Sequence, residues 1–378
     1  MTVKKSCHEE VAMPDPHSDN AEREMVWDQF CDMLKHAGKQ ILRPEAPQDP
    51  LNRAEGYRYL SRLTRIALEM LVESGTAEFP TFMVPSHETA KIGADNPDNY
   101  YQVALINGNY SYCIRGNRGG IENINFSTKR GGYDTNGKLI LSDLIEAKSM
   151  HFEADGSFEL MLSQDRVSGN WLKLTPDTSQ VLVRQYLPRR QQQKPAQITI
   201  ERLDQTDAVP AALDPDVFEK KLLGAAKFVE NTARMFADWT QSYLPKVNTL
   251  PPADQALCQS VGGDPNIFYY HGYWQLDDDK ALVIRVPKLP TCDYWNVVVQ
   301  NYWMESLDFR YFNVCVNKET AKLDADGGVT VVISHGDPGV PNWLTTAGHS
   351  SGTMCFRWVG ASAPVHPVTE VVALDALI

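Results

Sequence analysis

Residues 154–186 read ADGSFELMLSQDRVSGNWLKLTPDTSQVLVRQY, and residues 325–358 read ADGGVTVVISHGDPGVPNWLTTAGHSSGTMCFRW. Both stretches pass from an Ala-Asp-Gly turn into an apolar strand, a polar loop, Asn-Trp-Leu and a second strand that ends near an arginine, Arg184 or Arg357. The copies are 171 residues apart at the Asp-Gly turn, 172 at Asn-Trp-Leu and 173 at the arginine. A repeat of this length predicts one supersecondary unit used twice, and therefore two related β-domains.

The bulk composition is that of a globular protein of two or three domains. The chain has 378 residues, of which 43% are hydrophobic and 22% are charged. Its formal net charge is −12. Phosphate binding requires a basic surface, so nucleic acid is not expected as the main partner.

Cysteine usage and the lack of long apolar runs predict a cytoplasmic protein without a membrane partner. The chain has seven cysteines, an odd number, and none stands in a C-x-x-C pair. This is neither a disulfide framework nor a zinc pattern. No apolar run approaches the length of a membrane span, and the N-terminal residues lack a signal-peptide core.

The pattern along the chain predicts a mainly β fold with added helices. Apolar residues recur at helical spacing over 21–43, 51–73 and 214–244, and Asp214 and Pro215 favour a helix start. Short period-two runs elsewhere favour two related antiparallel β-sandwich (jelly-roll-like) domains. The predicted division is a disordered tail over 1–20, a helical segment over 21–90, a first β-sandwich over 91–205, a helical connector over 206–265 and a second β-sandwich over 266–378.

Two turns and a group of arginines lead to further predictions. Asn107-Gly108 and Asp277-Asp278-Asp279 are typical of hairpin turns between paired strands. The arginines of the 51–73 helix lie largely off its apolar stripe, which indicates a solvated face: Arg53, Arg58, Arg62 and Arg65.

Two C-terminal segments carry a resemblance to a known family. They are Asn301–Asp308 and Asp337–His349, followed by Gly352 and Arg357. This region resembles the bacterial family catalogued as domain of unknown function 1214. Residues 51–71 and 93–98 more loosely resemble an actinobacterial branch of it. The resemblance implies two β-sandwich domains of jelly-roll type with added helices, but it supplies no reaction.

The catalytic candidates lie in this C-terminal region, because no G-x-S-x-G, P-loop, H-E-x-x-H or Rossmann motif is present. Glu305 and Asp308 stand among aromatic residues, where a carboxyl group can acquire the raised pKa of a general acid or base. His349 would be their partner, and Arg357 would hold an anionic group. The alternative is that the carboxylates pair with Arg310 or Arg357 and fix a corner of the sandwich.

A metal site is the weaker interpretation of the histidines. His335 and His349 bracket the second Asn-Trp-Leu loop and could converge with a carboxylate of Glu305 or Asp308, but no H-x-H pattern occurs. No cofactor is expected, and a divalent metal stays an alternative. In the structural alternative, His335 begins a loop and His349 makes a backbone hydrogen bond. The first copy lacks Gly-His after Asn-Trp-Leu, so it would not form a second active site of this kind.

Aromatic and amide side chains of the second copy are the candidates for substrate contact. They are Trp295, Asn301, Tyr302, Trp303, Asn342 and Trp343. Asn-Trp occurs in both copies, however, and a feature of both copies favours a role in folding, with Trp in a core and Asn satisfying loop backbone groups.

Three functions fit these observations. The first is a hydrolase or lyase that acts by acid/base chemistry on a carbohydrate or a hydroxylated hydrophobic compound, in a cleft of the second β-domain where it meets the first. The second is non-catalytic binding of such a molecule, and the third is a scaffold whose helices form contact surfaces. Fold class alone does not separate them. A small-molecule ligand is the expected partner, and a homo-oligomer is compatible with the sequence.

Overall fold

The structure is a computed structural model that describes residues 16–135, 137–205 and 209–377, with side chains from residue 25 onward. Its helices are α1 (Pro16–Gly38), α2 (Pro50–Leu68), α3 (Pro215–Tyr243) and α4 (Gln255–Ser260). Most of the predicted tail, residues 1–15, lies outside the described residues. Because α1 begins at Pro16, the tail predicted to extend to residue 20 is too long.

Helices α2 and α3 both begin at an aspartate that caps the helix. Asp49 caps α2 by accepting a hydrogen bond from the backbone N–H of Asn52 at 3.0 Å. Asp214 caps α3 by accepting one from Val217 at 3.1 Å, and Pro215 occupies the first turn, as predicted. Each aspartate satisfies an N–H that lacks an intrahelical partner, which fixes where the helix starts.

The first β-domain consists of two packed sheets. Its strands are β1 (Asn99–Leu105), β2 (Tyr112–Asn117), β3 (Ile124–Gly132), β4 (Lys138–Glu146), β5 (Ser157–Ser163), β6 (Trp171–Lys173), β7 (Thr178–Tyr186) and β8 (Gln197–Arg202). One sheet has the order β1-β7-β3-β4 and the other β6-β5-β2-β8. Apolar side chains from both sheets form the core between them, among them Ile114, Phe126 and Val183.

The second β-domain repeats this arrangement. Its strands are β9 (Ile267–Gln275), β10 (Lys280–Val286), β11 (Tyr294–Val299), β12 (Cys315–Asn317), β13 (Val329–Ser334), β14 (Trp343–Thr345), β15 (Ser351–Val359) and β16 (Val368–Ala373). The sheet orders β12-β11-β15-β9 and β14-β13-β10-β16 match those of the first domain strand for strand. The prediction of two related β-sandwich domains with added helices is confirmed.

Two details of the sheets differ from the prediction. The sheets are antiparallel except that β5 pairs with β6, and β13 with β14, in parallel at the Asn-Trp-Leu segments. The predicted hairpins at Asn107-Gly108 and Asp277–Asp279 are wrong. The strands on either side of each turn belong to opposite sheets, so both turns cross the edge of a sandwich. Their Gly- and Asp-rich composition suits either kind of turn.

The helices cover one side of the paired domains. A third core joins α2 and α3 to the second domain through Tyr59, Leu63, Phe228, Tyr302 and Trp303. Among the described residues, no helix is both long enough and apolar enough to cross a membrane.

Candidate functional site

A cavity of about 650 Å³ is lined by both β-domains and by α3. The first domain contributes residues of the β1-β7-β3-β4 sheet, and the second contributes residues of β9 and β15. α3 supplies Phe228, Phe236 and Trp239. The cavity therefore lies where the matching sheets of the two copies and the connecting helix come together.

Strand alternation explains why these sheets have apolar residues on both faces. In β1, Tyr101 and Val103 line the cavity, whereas Ala104 packs into the core of the first domain. In β9, Tyr269 lines the cavity and Tyr270 packs into the core of the second domain. Successive side chains of a strand point to opposite faces, so each sheet separates its own core from the shared cavity.

An arginine occupies the same position in each domain. Arg184 on β7 lies opposite Tyr101 of β1. Arg357 on β15 lies opposite Tyr269 of β9. Both arginines are almost fully buried and both line the cavity. The duplicated Tyr-Arg pairs give the cavity an approximate internal symmetry.

Each arginine holds a loop that enters the other domain. Arg184 Nη2 donates to the carbonyl oxygen of Gly262, just before β9, at 2.7 Å. Arg357 Nη2 donates to the carbonyl oxygen of Ala94, just before β1. These reciprocal bonds tie the two domains together around the cavity.

The tyrosines fix the entering loops of their own domains. The hydroxyl oxygen of Tyr101 accepts a hydrogen bond from the N–H of Asn96 at 3.3 Å. That of Tyr269 accepts one from the N–H of Asp264 at 3.0 Å. Ala94 has a φ of 52°, a conformation unfavourable for a residue with a Cβ. Its N–H donates to the carbonyl oxygen of Met304 at 2.7 Å, which helps to hold this loop.

The two arginines differ in their ionic partners. Arg184 Nη1 lies 3.8 Å from a carboxylate oxygen of Asp264. Arg357 Nη1 donates to the amide oxygen of Asn296 at 3.4 Å, and no carboxylate of the described residues lies within ion-pair distance of Arg357. Lys129 Nζ is 3.4 Å from the Gly262 carbonyl, and burial, together with the charge of Arg184, lowers the pKa of Lys129 to about 7.

His271 is a neutral group on the cavity wall. Its ring stacks with those of Tyr243 and Tyr269, whose centroids are 5.7 and 6.1 Å away. Burial, with a smaller contribution from Arg357, lowers its pKa from 6.5 to about 3. His271 is therefore uncharged at neutral pH.

Several buried polar atoms around the cavity lack hydrogen-bond partners among the described residues. They are Arg184 Nη1, Asn96 Nδ2, Asn99 Oδ1 and His271 Nδ1. Buried polar atoms are nearly always hydrogen-bonded, so these four are atoms that a polar ligand in the cavity would satisfy.

Comparison with known proteins places the chain in a family. Residues 133–190 and 273–363 match the family described as "Protein of unknown function (DUF1214)". A crystal structure of an uncharacterised protein from Burkholderia cenocepacia is 56% identical, with a TM-score of 0.91, and the match covers 93% of this chain and 97% of that one. The chain belongs to the DUF1214 family. The sequence resemblance is confirmed at this level, and the actinobacterial branch stays a prediction.

A second solved structure is more distant. The VPA0106 protein from Vibrio parahaemolyticus is 12% identical, with a TM-score of 0.47, over 91% of this chain and 99% of that one. No curated protein is significantly similar to this DUF1214 chain.

Glu305 of the DUF1214 chain is not on the cavity wall. It is fully buried, and its Oε1 accepts a hydrogen bond from Arg62 Nη1 of α2 at 2.7 Å. Asn301 Nδ2 donates to its other oxygen at 3.1 Å. Burial raises the pKa of Glu305, and Arg62 and Lys91 oppose the rise. The prediction of a solvated face is wrong for Arg62, because this ion pair takes it into the core.

Asp308 and His349 are also not among the residues that line the cavity. Arg310 bonds both oxygens of Asp308, at 2.8 and 2.6 Å, and this lowers the pKa of Asp308 to about 2. His349 is buried, and its Nδ1 lies 3.1 Å from the Thr346 carbonyl oxygen, the backbone contact that was the structural alternative. Of the four predicted catalytic residues, Arg357 alone lines the cavity, so the structure does not bring the four together.

The predicted aromatic contacts are core residues. Trp295 stacks on Phe356 inside the second domain, with centroids 5.9 Å apart. Tyr302 and Trp303 pack beneath α2 and α3, where Trp303 Nε1 donates to the Asn52 carbonyl at 3.2 Å. Asn301 Oδ1 accepts from the N–H groups of Trp303 and Glu305 and shapes this loop. None of them is among the lining residues described for the cavity.

The Asn-Trp segments hold loops in both domains. Asn342 bonds the backbone of Lys322 and Thr330, and Asn170 bonds that of His151 and Glu159 in the same pattern. Trp343 Nε1 lies 3.4 Å from the Ser334 carbonyl. The folding role favoured by the duplication is confirmed for Asn342, and neither Asn342 nor Trp343 lines the cavity.

The described residues contain no cluster of three or more His, Cys, Asp or Glu side chains placed to hold a metal ion. His335 Nδ1 lies 2.9 Å from the hydroxyl of Thr346, and its Nε2 lies 3.1 Å from the Leu276 carbonyl.

Sequence reasoning missed most of the cavity wall. The available signal was the match between Arg184 and Arg357 in the two copies, together with the alternation of Tyr101 and Val103. The sequence pattern gives two faces for each strand, but it does not say which face meets the other domain.

Proposed function

We propose that this DUF1214 protein binds a small organic molecule, without transforming it, in the cavity between its two β-domains. The observation that carries the proposal is the cavity itself. Its volume of about 650 Å³ falls within the range of pockets that take drug-sized ligands, roughly 300–1,000 Å³. Ligand sites also favour domain interfaces.

The wall has the mixture that such ligands require. Aromatic side chains of β1, β9, α3 and the loop after β3 line it, among them Tyr133, Phe236 and Trp239. Buried arginines and unpartnered polar atoms add a small number of directional groups. Rings provide stacking surfaces, and polar groups fix orientation. A hydroxylated hydrophobic compound or a carbohydrate would use both.

Binding is favoured over a hydrolase or lyase reaction because the predicted acid/base residues Glu305, Asp308 and His349 are not among the lining residues of the cavity. A general base works best with a pKa near the working pH, and the pKa of His271 is about 3. Both oxygens of the cavity residue Asp95 accept hydrogen bonds from Ser306. Glu305 is committed to Arg62. Catalysis therefore stays the less supported prediction.

Native mass spectrometry of the purified full-length protein, and extraction of its bound compounds, test the proposal. A bulky residue at Gly224 of α3 should fill the cavity, because Gly224 lines it and an added Cβ would approach no atom closer than Asp134 Oδ2 at 4.0 Å. We expect Gly224→Phe to lose a compound that the wild type retains.

Gly224→Ala is the matched control. It should keep the ligand, since a methyl group fills little of the cavity, and it should be more stable by about 0.5–1 kcal/mol because alanine favours helix over glycine. The binding proposal fails if Gly224→Phe and Gly224→Ala retain the same compound equally, or if neither the wild type nor a ligand screen reveals any binding.

Four finer points stay proposals for this chain: the actinobacterial branch, the jelly-roll type of its sandwiches, a cytoplasmic location and a homo-oligomeric state. Sequence comparison with further relatives, fractionation of the source cells and light scattering would test them.

A further inference from the structure

The cavity has the opposite electrostatic character to the protein as a whole. The chain carries a formal net charge of −12. The charged residues that line the cavity are four cations, Arg184, Arg357, Lys220 and Lys221, and two aspartates, Asp95 and Asp134. Burial raises the pKa of Asp134, because surroundings poor in water disfavour the charged carboxylate. A cationic cavity in an acidic protein selects for anions.

Arg357 is the most deeply buried of these four cations. It is only 3% exposed, and its hydrogen-bond acceptors, the Asn296 amide and the Ala94 carbonyl, are neutral. Asp95 interacts with it electrostatically, but both of its oxygens are engaged by Ser306. A buried charge without a close counter-ion is costly, and burial of an arginine is normally offset by a carboxylate or phosphate.

The duplicated arginine supplies the second observation. Arg184 has Asp264 at 3.8 Å, yet its Nη1 has no hydrogen-bond partner among the described residues and the side chain is 7% exposed. Tyr101 and Tyr269, the residues opposite Arg184 and Arg357 on the neighbouring strands, line the same cavity. The cavity therefore offers two buried cations and an N–H donor without a hydrogen-bond partner among the described residues.

Part of the wall is suited to an apolar body. Val103 and Leu182 of the first domain line it together with Phe228 and Phe236 of α3. These residues offer no charge and no strong hydrogen-bond donor. A ligand that satisfies both the arginines and the apolar side chains would carry an anionic head on an apolar body.

We propose that the ligand is an amphipathic carboxylic acid whose carboxylate is recognised by Arg184 and Arg357. This inference rests on the proposed function, because it names the chemical class of the molecule held in the same cavity. The carboxylate supplies the counter-ion that Arg357 lacks and accepts a hydrogen bond from Arg184 Nη1. The apolar body lies against the aliphatic and aromatic wall.

Three compounds with chains of equal length and different head-group charge distinguish the effect of charge from that of apolar burial on affinity: decanoate, 1-decanol and decylamine. Each is titrated calorimetrically into full-length protein freed of bound lipid and acids on a hydrophobic resin. We expect decanoate to bind on the order of tenfold to a hundredfold more tightly than decanol, since hydrogen bonds to a charged group have that value. Decylamine should bind most weakly. Gly224→Phe should bind none of the three.

Equal binding of decanol and decanoate would overturn the carboxylate assignment and leave the cavity as a binding site. If none of the three binds, the compound released from native protein decides. An organic acid supports the assignment, a neutral compound overturns it, and absence of any compound overturns the proposed function as well.

Single variants show which groups recognise the head. Arg184→Gln and Arg357→Gln should each reduce the preference for decanoate over decanol by about tenfold or more. Arg130→Gln is the matched control, because Arg130 lies on β3 and is exposed beside Asp177 at 3.2 Å. It should leave the preference unchanged. If either cavity variant fails to fold in a thermal melt, the selectivity of the wild type still decides the assignment.

Discussion

At equivalent points of their first strands, the two β-domains carry Val103 and His271. Val103 lies opposite Leu182 on β7, and His271 lies opposite Cys355 on β15. Two residues away, both domains keep the same Tyr-Arg pair. The shared pairs build the cavity, and at the diverged position the first domain places an apolar side chain on the wall and the second domain an imidazole. The candidate site is therefore shared by the two domains. The sequence indicated a cleft of the second domain where it meets the first, but lined by other residues of the second domain.

The loop after the third strand of each sandwich shows a second difference. In the first domain, Tyr133–Thr135 follow β3 and line the cavity. In the second domain, Asn301–Asp308 follow β11 and lie beneath α2 and α3. The same position in the fold therefore serves the cavity in one copy and the attachment of the helices in the other.

The largest effect is expected where the second-domain loop meets α2. Arg62→Met should destabilise the protein by about 3–5 kcal/mol, because it leaves the carboxylate of Glu305 buried and unpaired. Urea denaturation followed by circular dichroism measures the loss. A change below about 1 kcal/mol would show that the ion pair does not fix the helices.

A double variant separates the ion pair from the packing around it. Arg62→Met with Glu305→Leu removes both charges together, and replacing a buried ion pair by apolar residues is often neutral. We expect the double variant to recover most of the stability lost in Arg62→Met. A double variant as unstable as the single one would assign the loss to altered packing instead.

His271 should make stability depend on pH in a way that Val103 does not. Burial lowers its pKa to about 3 from 6.5, so between these values the unfolded chain binds a proton that the folded chain does not. The contribution is fully present above pH 6.5 and is lost as the pH falls towards 3. At pH 4.5 the loss should be about 2–3 kcal/mol.

His271→Val makes the two domains alike at this position and removes the titrating group. Its free energy of unfolding, measured by urea denaturation from pH 7 to pH 4.5, should fall less steeply than that of the wild type by this amount. His151→Val, at an exposed histidine of the first domain, is the control and should follow the wild type. Parallel pH profiles for His271→Val and the wild type would contradict the assignment of a depressed pKa.

The sequence predicted the duplicated sandwiches and the α3 boundaries well, because period-two runs, Asn-Trp-Leu and the Asp214-Pro215 cap are local signals. It failed for Glu305 and Trp303, whose surroundings depend on a contact with α2, some 240 residues earlier in the chain. Contacts of this kind leave no periodic pattern. Arg184 and Arg357 could be matched from the repeat, but their meeting at one cavity depends on how the domains pack.

The smallest effect is expected at Asn170 and Asn342, which occupy matching loops of the two domains. Asn170 and Asn342 make the same set of backbone hydrogen bonds, at 2.7–2.9 Å in the first domain and 2.8–2.9 Å in the second. Asn342 alone of the two adopts a positive φ, 57°.

Replacement by alanine removes equal hydrogen bonds at the two sites but adds strain only at Asn342. A residue with a Cβ disfavours positive φ, and asparagine tolerates it better than most. Asn342→Ala should therefore be less stable than Asn170→Ala by about 1 kcal/mol in urea denaturation. Glycine variants at both sites should lose that difference, since glycine adopts positive φ freely. An equal cost for the two alanine variants would mean that the loops differ in ways that backbone strain does not explain.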